Sequence, residues 1–329
     1  MPLINHCNGG GGTPQLCGQV ENFKAGLGNL SAILSWTAPS PDEDNSFVGA
    51  RIVRKTGSAP TGINDGTVVY EGTALTYTDT GLTAGTTYYY RAFAYNAKKK
   101  YQTAYRVASR TAMALNSNFA SNTWELIMEA CYSGSVPDTW VTGDNKTMTI
   151  DGANYRFDIV GKNHDTYTAG GIAPLTFGLH DCYGTTYPMN SSDTSSTGWD
   201  GSKMRTETLP AILAKMPVNI QNGIRAVNKL TATSGSDSAI KTASDKLFTF
   251  SEMEVSGSAR YSYSGEGKQY DYYKAGNSKV KKVGGKASGW WLRSPRASYG
   301  GSFCAVFTDG SVTNSNASNS NGVCFGFCF

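Results

Sequence analysis

WWLRSP at 290–295 and GVCFGFCF at 322–329 enclose RASYGGSFCAVFTDGSVTNSNASNSN at 296–321. The two flanks are apolar and aromatic, whereas the enclosed stretch is built from Ser, Asn, Gly and Thr with a few apolar residues between them. From Ser294 to Phe329 there is no Lys, Glu, Gln, Met or Trp, although these types make up about one residue in six of the preceding chain. Chance would omit all of them on the order of a few times in a thousand at that composition. The interleaved Phe303, Val306, Val323, Phe325, Phe327 and Phe329, which carry enough apolar area to form a core, argue against a flexible polar tail. Strands joined by loops are expected.

A codon argument explains the missing types. If the adenines of an AAY asparagine codon are randomised, the NNY products cannot encode Lys, Glu, Gln, Met or Trp. Asn314, Asn316, Asn319 and Asn321 then read as unaltered positions, and Arg296, Tyr299, Phe307, Thr308 and Asp309 as altered ones. The whole set of outward, changeable positions is read as Arg296, Ser298, Tyr299, Gly300, Gly301, Ser302, Ala305, Phe307, Thr308, Asp309, Ser311, Thr313, Asn314, Ser315, Asn316, Ser318, Asn319 and Asn321. Arg and aromatic residues dominate interface hot spots, so Arg296, Tyr299 and Phe307 lead these ligand-binding candidates, with Asp309 as a polar specificity contact. The Ser and Gly positions would adjust shape.

This stretch resembles the variable region of proteins diversified by a retroelement whose error-prone reverse transcriptase rewrites adenines near the 3′ end of a gene. The matching fixed points are Trp291 to Pro295, Ala297, Phe303, Cys304, Val306, Gly310, Ala317, Gly322, Val323, Gly326, Phe327 and Cys328. Cys324 departs, since alanine is more usual there. The resemblance extends over 113–329, with Gly198, Trp199, Ser202, Met204, Arg205, Leu209, Lys229, Lys246, Phe248, Ser251 and Glu254 at the remaining matched points. It implies an α+β C-type lectin-like domain, with its variable region at about 290–329, acting as a receptor-recognition module.

Composition fits a soluble, mixed chain of 329 residues with no apolar run able to cross a bilayer. MPLINHCNGGGG lacks a basic region followed by an apolar core, so no secretory leader is expected. A net charge of +4 with scattered basic residues argues against nucleic acid as a partner. Lys98 to Lys100 read as a solvated hairpin turn, and Lys279, Lys281, Lys282 and Lys286 as a second loop. The 7 cysteines lack CxxC pairs, so buried thiols are expected, with a Cys7–Cys17 bridge open only in an oxidising place.

A Gly-rich lead occupies 1–17, read as a flexible or attachment segment. From 18 to 112 short alternating runs are separated by turn residues such as Pro60, Asp65-Gly66 and Gly81, which describes an all-β sandwich. AILSW gives Trp36 as a core anchor, and TTYYYRAFAYN places Tyr88, Tyr90, Ala92 and Ala94 on one face of a strand. WTAP at 36–39 and GLTAGTTYYY at 81–90 resemble a fibronectin type III module, which implies that Tyr88 is its structural corner tyrosine.

Beyond 113, SNTWELIMEACYSG predicts a helix with Trp124, Ile127, Met128 and Cys131 on one side. TMTIDGANYRFDIVG predicts a hairpin turning at Asp151-Gly152. Leu209, Ile212, Leu213 and Met216 fit a helix with Pro210 in its first turn, and a second helix is expected after Pro217. Ser251 and Glu254 have capping-box spacing.

His164-Asp165 and His180-Asp181-Cys182 are the local clusters that could suggest catalysis or metal binding. Neither fits HExxH or paired-Cys spacing, so hydrogen-bonded structural roles, no metal and no cofactor are expected. Arg205 and Arg293 read as buried ion-pair partners. Glu-Pro-Asn, Gln-Pro-Asp and Trp-Asn-Asp are absent, which argues against calcium-dependent sugar binding.

The expected function is therefore recognition without catalysis. A phage-tail adhesin would bind a surface protein or glycan of a target bacterium, join other virion proteins through its N-terminus, and use neither nucleic acid nor membrane. Homotrimeric assembly is in keeping with tail tips, and a bacterial cell-surface location is the alternative. A tail-associated hydrolase would instead need His164, Asp165, His180 and Asp181 to converge. A purely structural tail protein would leave the missing residue types unexplained.

Overall fold

The computed structural model describes residues 17–39 and 47–329. Cys7 and all but the last residue of the Gly-rich lead lie outside these. The chain forms two compact units, 1–115 and 116–329.

Seven strands make up the first unit: β1 (Glu21–Gly28), β2 (Ser31–Thr37), β3 (Phe47–Thr56), β4 (Thr67–Gly72), β5 (Thr76–Asp79), β6 (Thr87–Asn96) and β7 (Arg106–Thr111). They pair antiparallel as two sheets, β1-β2-β5 and β4-β3-β6-β7, the arrangement of a fibronectin type III-like sandwich. Alternation along β2 buries Leu34 and Trp36, and on β6 it sends Tyr90, Ala92 and Ala94 into the same core. Tyr88 packs at that core's edge, and its hydroxyl accepts a hydrogen bond from Thr83 N at 3.1 Å. Asp79 on β5 accepts from Arg54 on β3 at 2.9 Å and from Tyr90 on β6 at 2.9 Å, tying one sheet to the other with charge-assisted bonds.

The second unit begins with α1 (Trp124–Ser133). Thr123 caps its start by accepting from Leu126 N, and Gly134, at φ +67°, stops it. Its buried side carries Trp124, Ile127 and Cys131 as expected, joined by Leu126 and Ala130, while Met128 is only half-buried. Strands β8 (Asn145–Ile150) and β9 (Ala153–Lys162) form a hairpin through Asp151 and Gly152, whose φ values of +52° and +77° suit a two-residue turn. β10 (Leu175–Leu179) and β11 (Tyr183–Pro188) follow, then a π-helical turn at Met204–Thr208 that leads into α2 (Leu209–Leu213), and α3 (Val218–Gly223). The helix predicted through Met216 ends at Leu213, although Met216 is still buried.

The chain continues through β12 (Val227–Ser234), β13 (Asp237–Asp245), β14 (Phe248–Thr249), α4 (Glu252–Ser256) and α5 (Asp271–Lys274). Ser251 and Glu254 form both bonds of the capping box on α4. Last come β15 (Lys281–Val283), β16 (Lys286–Ser288), β17 (Trp290–Pro295), β18 (Ser302–Val306), β19 (Val312–Asn316), β20 (Ser320–Val323) and β21 (Phe325–Cys328).

Two five-stranded sheets result, in the orders β14-β21-β10-β9-β8 and β11-β20-β17-β18-β19. The final strand, β21, is thus interior to the first sheet, and Phe177, Phe327 and Phe329 pack with Trp124 at ring separations of 5.2–6.2 Å. Burying each such ring is worth about 1.5–3 kcal/mol, so the flank at 322–329 is a core element. Gly326 permits the close approach: a Cβ there would lie 2.9 Å from the Phe177 carbonyl and from the Phe248 ring.

The Lys279–Lys286 group departs from its loop reading. Lys281 is 2 % exposed on β15, and its Nζ donates to the carbonyls of Leu179 at 2.6 Å and His180 at 2.9 Å. Those carbonyls offset much of the cost of burying the charge. Lys282 and Lys286 remain exposed.

Candidate functional site

Strand β17 is buried along its whole length. At its centre the Arg293 guanidinium is fully buried and meets Glu254 through two bonds, Nη1 to Oε2 at 2.5 Å and Nη2 to Oε1 at 2.7 Å. Lys229 Nζ completes the network, bonding Glu254 at 2.7 Å, Asp165 at 2.8 Å and the Tyr270 hydroxyl at 2.9 Å. Burial alone would push the Glu254 and Asp165 carboxyls upward, but the neighbouring cations outweigh it and hold both below their usual range. For Arg293 the burial penalty is likewise exceeded by Glu254, so its pKa rises. The ion-pair reading of Arg293 holds. Arg205 pairs with buried Asp245 at 2.6 Å while staying partly exposed.

A second buried anchor is Glu252. Its carboxylate accepts from the backbone N–H groups of Arg260, Tyr261 and Ser262 at 2.6–3.1 Å, which fixes the loop at 258–264. That loop grips the next segment: Ala297 N donates to Tyr261 O at 2.7 Å and Ser298 N to the Tyr263 hydroxyl at 3.1 Å. From another side Tyr299 N reaches Gly235 O, Ser195 N reaches Gly300 O, and Ala317 N reaches Gly301 O. Arg296 N closes the turn on Ser302 O at 3.0 Å. Main-chain atoms of 296–301 therefore carry the conformation, and the side chains of Ser298 and Tyr299 are exposed. Arg296 is half-buried, its guanidinium 4.8 Å from the centre of the Tyr299 ring, a cation–π pairing.

The remaining candidates flank β18 and β19. Phe307 is 53 % exposed, and Thr308, Asp309 and Ser311 form an exposed turn. Asp309 accepts from Ser311 N at 2.9 Å and from its hydroxyl at 2.6 Å, bonds that lower its carboxyl pKa. On β19 Thr313, Asn314 and Ser315 are half-buried and Asn316 is exposed. Ser318 and Asn319 are exposed and Asn321 is half-buried. Asp193, which the sequence did not single out, accepts from Asn316 Nδ2 at 3.1 Å and from Ser318 N and Oγ at 3.0 and 2.6 Å.

Two candidates need correction. Ser302 is 0 % exposed and donates to Asn316 Oδ1 at 3.0 Å, on a strand whose five residues are all buried. Ala305, 2 % exposed, contributes only floor to a concavity of about 450 Å³ bounded by Gly289, Val306, Phe307, Thr313–Asn316, Asn319 and Asn321.

The histidines lie elsewhere. His164 stacks on Tyr270 with ring centres 3.9 Å apart, and burial lowers its pKa. His180 Nδ1 is 2.7 Å from Asp158 Oδ2, and Asp181 accepts from Lys282 N. His164 and Asp165 line one depression, His180 and Asp181 another. Among the described residues no group of three or more His, Cys, Asp and Glu is placed to hold a metal ion. Cys131, Cys182, Cys304, Cys324 and Cys328 are buried thiols, and burial raises the pKa of each. None of the described helices is long and apolar enough to cross a membrane.

These features define a two-unit, β-rich protein whose C-terminal segment alternates a buried frame with exposed side chains. Residues 113–328 match the family described as "Domain of unknown function (DUF6273)", and the chain belongs to that family. No curated protein matches it. Among solved structures it is similar to a computationally redesigned β-sandwich protein (22% identity, 30% of this chain and 98% of that one, TM-score 0.24). It is also similar to the fibronectin type III domain of human fibronectin type III domain containing protein 3 (20% identity, 36% and 100%, TM-score 0.24). A third similarity is to the fibronectin type III domain of the human KIAA0970 protein (17% identity, 30% and 74%, TM-score 0.24).

Proposed function

We propose that this protein is a diversified ligand-binding protein, in which 116–329 is a C-type lectin-like domain and the preceding sandwich is a spacer. The observation that carries the reading is the division of 290–329 into two classes. Residues 290–295 and 322–329 are buried, whereas Arg296, Tyr299, Phe307, Thr308, Asp309, Ser311, Ser318 and Asn319, all of types that NNY codons encode, have exposed or half-exposed side chains. Rewriting those codons would change the surface and leave the core intact. Tyr299 and Phe307 are the strongest contact residues, at roughly 2 kcal/mol or more each once buried by a partner. A phage-tail adhesin contacting a bacterial surface molecule, joined to the virion through its N-terminus, is the setting this best suits.

The test is genomic. A near-copy of the 3′ end of the gene, differing only where the copy has adenine and lying beside a reverse transcriptase gene, is the expected result. Absence of any such copy, with an identical C-terminus in sibling genes, would overturn the reading.

A further inference from the structure

We infer that the concavity on β18 and β19 takes the uncharged pyranose ring of a surface glycan, bound without calcium. The inference rests on the binding reading above and names the ligand class of that face. It starts from the strand register. Ala305 pairs with Thr313 and Phe303 with Ser315, so Ala305, Phe307, Thr313 and Ser315 point to one side, where Asn319 and Asn321 also border the concavity. Of the groups bordering it, none is ionisable. What remains is hydroxyls and amides beside one exposed aromatic ring. A volume of about 450 Å³ lies within the usual range for small-ligand pockets.

Charged or mainly apolar ligands find nothing complementary there. An anion has no cation to pair with, a cation no carboxylate, and an extended apolar group would bury amide and hydroxyl groups without partners, at about 1–3 kcal/mol each. A sugar ring matches both halves. Its C–H face lies on Phe307, while adjacent hydroxyls, each donor and acceptor, meet Thr313, Ser315 and Asn319. Asn321, which borders the concavity, has a buried Nδ2 with no hydrogen-bond partner in the protein, so turning its amide toward a sugar hydroxyl would supply the missing bond. Gly289 makes room for that amide, since a Cβ there would lie 2.9 Å from Asn321 Oδ1. With no carboxylate in the lining, the site offers calcium no ligand set of the hard, charged kind it favours.

The experiment is saturation-transfer NMR with titration of the full chain against neutral methyl glycosides (gluco, galacto and N-acetylglucosamine), N-acetylneuraminic acid and inorganic phosphate, with and without EDTA. At least one neutral glycoside should bind with a Kd of order 1–10 mM, unchanged by EDTA and in preference to both anions. Phe307→Ala should weaken it about tenfold, and Thr313→Trp, which fills the concavity from an edge strand, should abolish it while thermal unfolding is unchanged. Lack of binding by every neutral glycoside, loss in EDTA, or binding unaltered in both variants would overturn the inference. So would capture of a protease-sensitive cell-surface component that these sugars do not displace. The genomic test is independent of ligand chemistry, so failure here leaves the diversified-binder reading standing and failure there does not depend on sugar binding.

Discussion

Arg293 on β17 and Glu254 on α4 face each other in a fully buried, two-pronged ion pair, 39 residues apart in sequence and 2.5–2.7 Å apart in space. Arg293 also donates to the carbonyls of Thr249, Leu230 and Glu266, so one side chain joins β17 to β12, β14 and the 258–268 loop.

Arg293→Met should therefore cost about 3–5 kcal/mol, because it strips the buried Glu254 of its bidentate partner and removes a donor from the carbonyls of Leu230, Thr249 and Glu266. Urea unfolding of the full chain reads this as a lowered midpoint for the transition of the second unit, with the sandwich transition unmoved.

Stability of the second unit should fall in acid. The folded-state pKa values of Glu254 and Asp165 lie below their ordinary 4.5 and 3.8, so their contribution is complete above those values and is lost as pH drops through the lowered ones. Glu266 has the opposite sign: burial raises its pKa, so its contribution is complete below 4.5 and fades as pH rises through the higher folded value. Glu266→Gln keeps an acceptor for Ala232 N and Thr231 Oγ1 and should reduce the loss of thermal stability as pH rises above 4.5 while leaving the acid limb in place.

Glu252→Gln should loosen the 258–264 loop. An amide offers one acceptor oxygen where the carboxylate offers two to the backbone N–H groups, and hydrogen bonds to charged groups are worth about 1.5–3 kcal/mol each. Hydrogen exchange at Arg260, Tyr261 and Ser262 should speed up, followed by exchange at Ala297, whose N–H depends on Tyr261 O.

Tyr299→Ala and Phe307→Ala should leave unfolding within about 0.5 kcal/mol of the parent, since both rings are about half exposed. If the protein binds bacterial cells as proposed, that binding should weaken by about 30-fold, equivalent to ~2 kcal/mol. An altered melting curve, or undiminished cell binding by both variants, would contradict this.

Local signals were legible where chemistry is local. Asp151-Gly152 marked its hairpin, Ser251 and Glu254 their cap, and alternation around Trp36 and Tyr90 the sandwich core. Interactions made at a distance were not. Nothing around Lys281 shows that the carbonyls of Leu179 and His180, about a hundred residues earlier, would enclose its ammonium group. The β12–β13 hairpin escaped notice because its Ser, Thr, Ala and Lys residues lack a strong apolar alternation. Ser302 and Ala305 are as small and uncharged as their exposed neighbours, so composition placed them on the surface, and only the burial of β18 along its whole length shows otherwise.

The turn at 296–301 has one further consequence. Because the turn enters these bonds through its own amide hydrogens and carbonyl oxygens, replacing one of its side chains leaves them in place, with proline the clearest exception. Proline, which NNY codons also encode, has no N–H to give. At 296, 298 and 299 it would delete a bond to Ser302, Tyr263 or Gly235, and at 298 its ring could not reach the φ of +59° found there. If these positions are diversified as proposed, the repertoire should be empty of proline at 296, 298 and 299 and poor in the β-branched Ile, Val and Thr at 298.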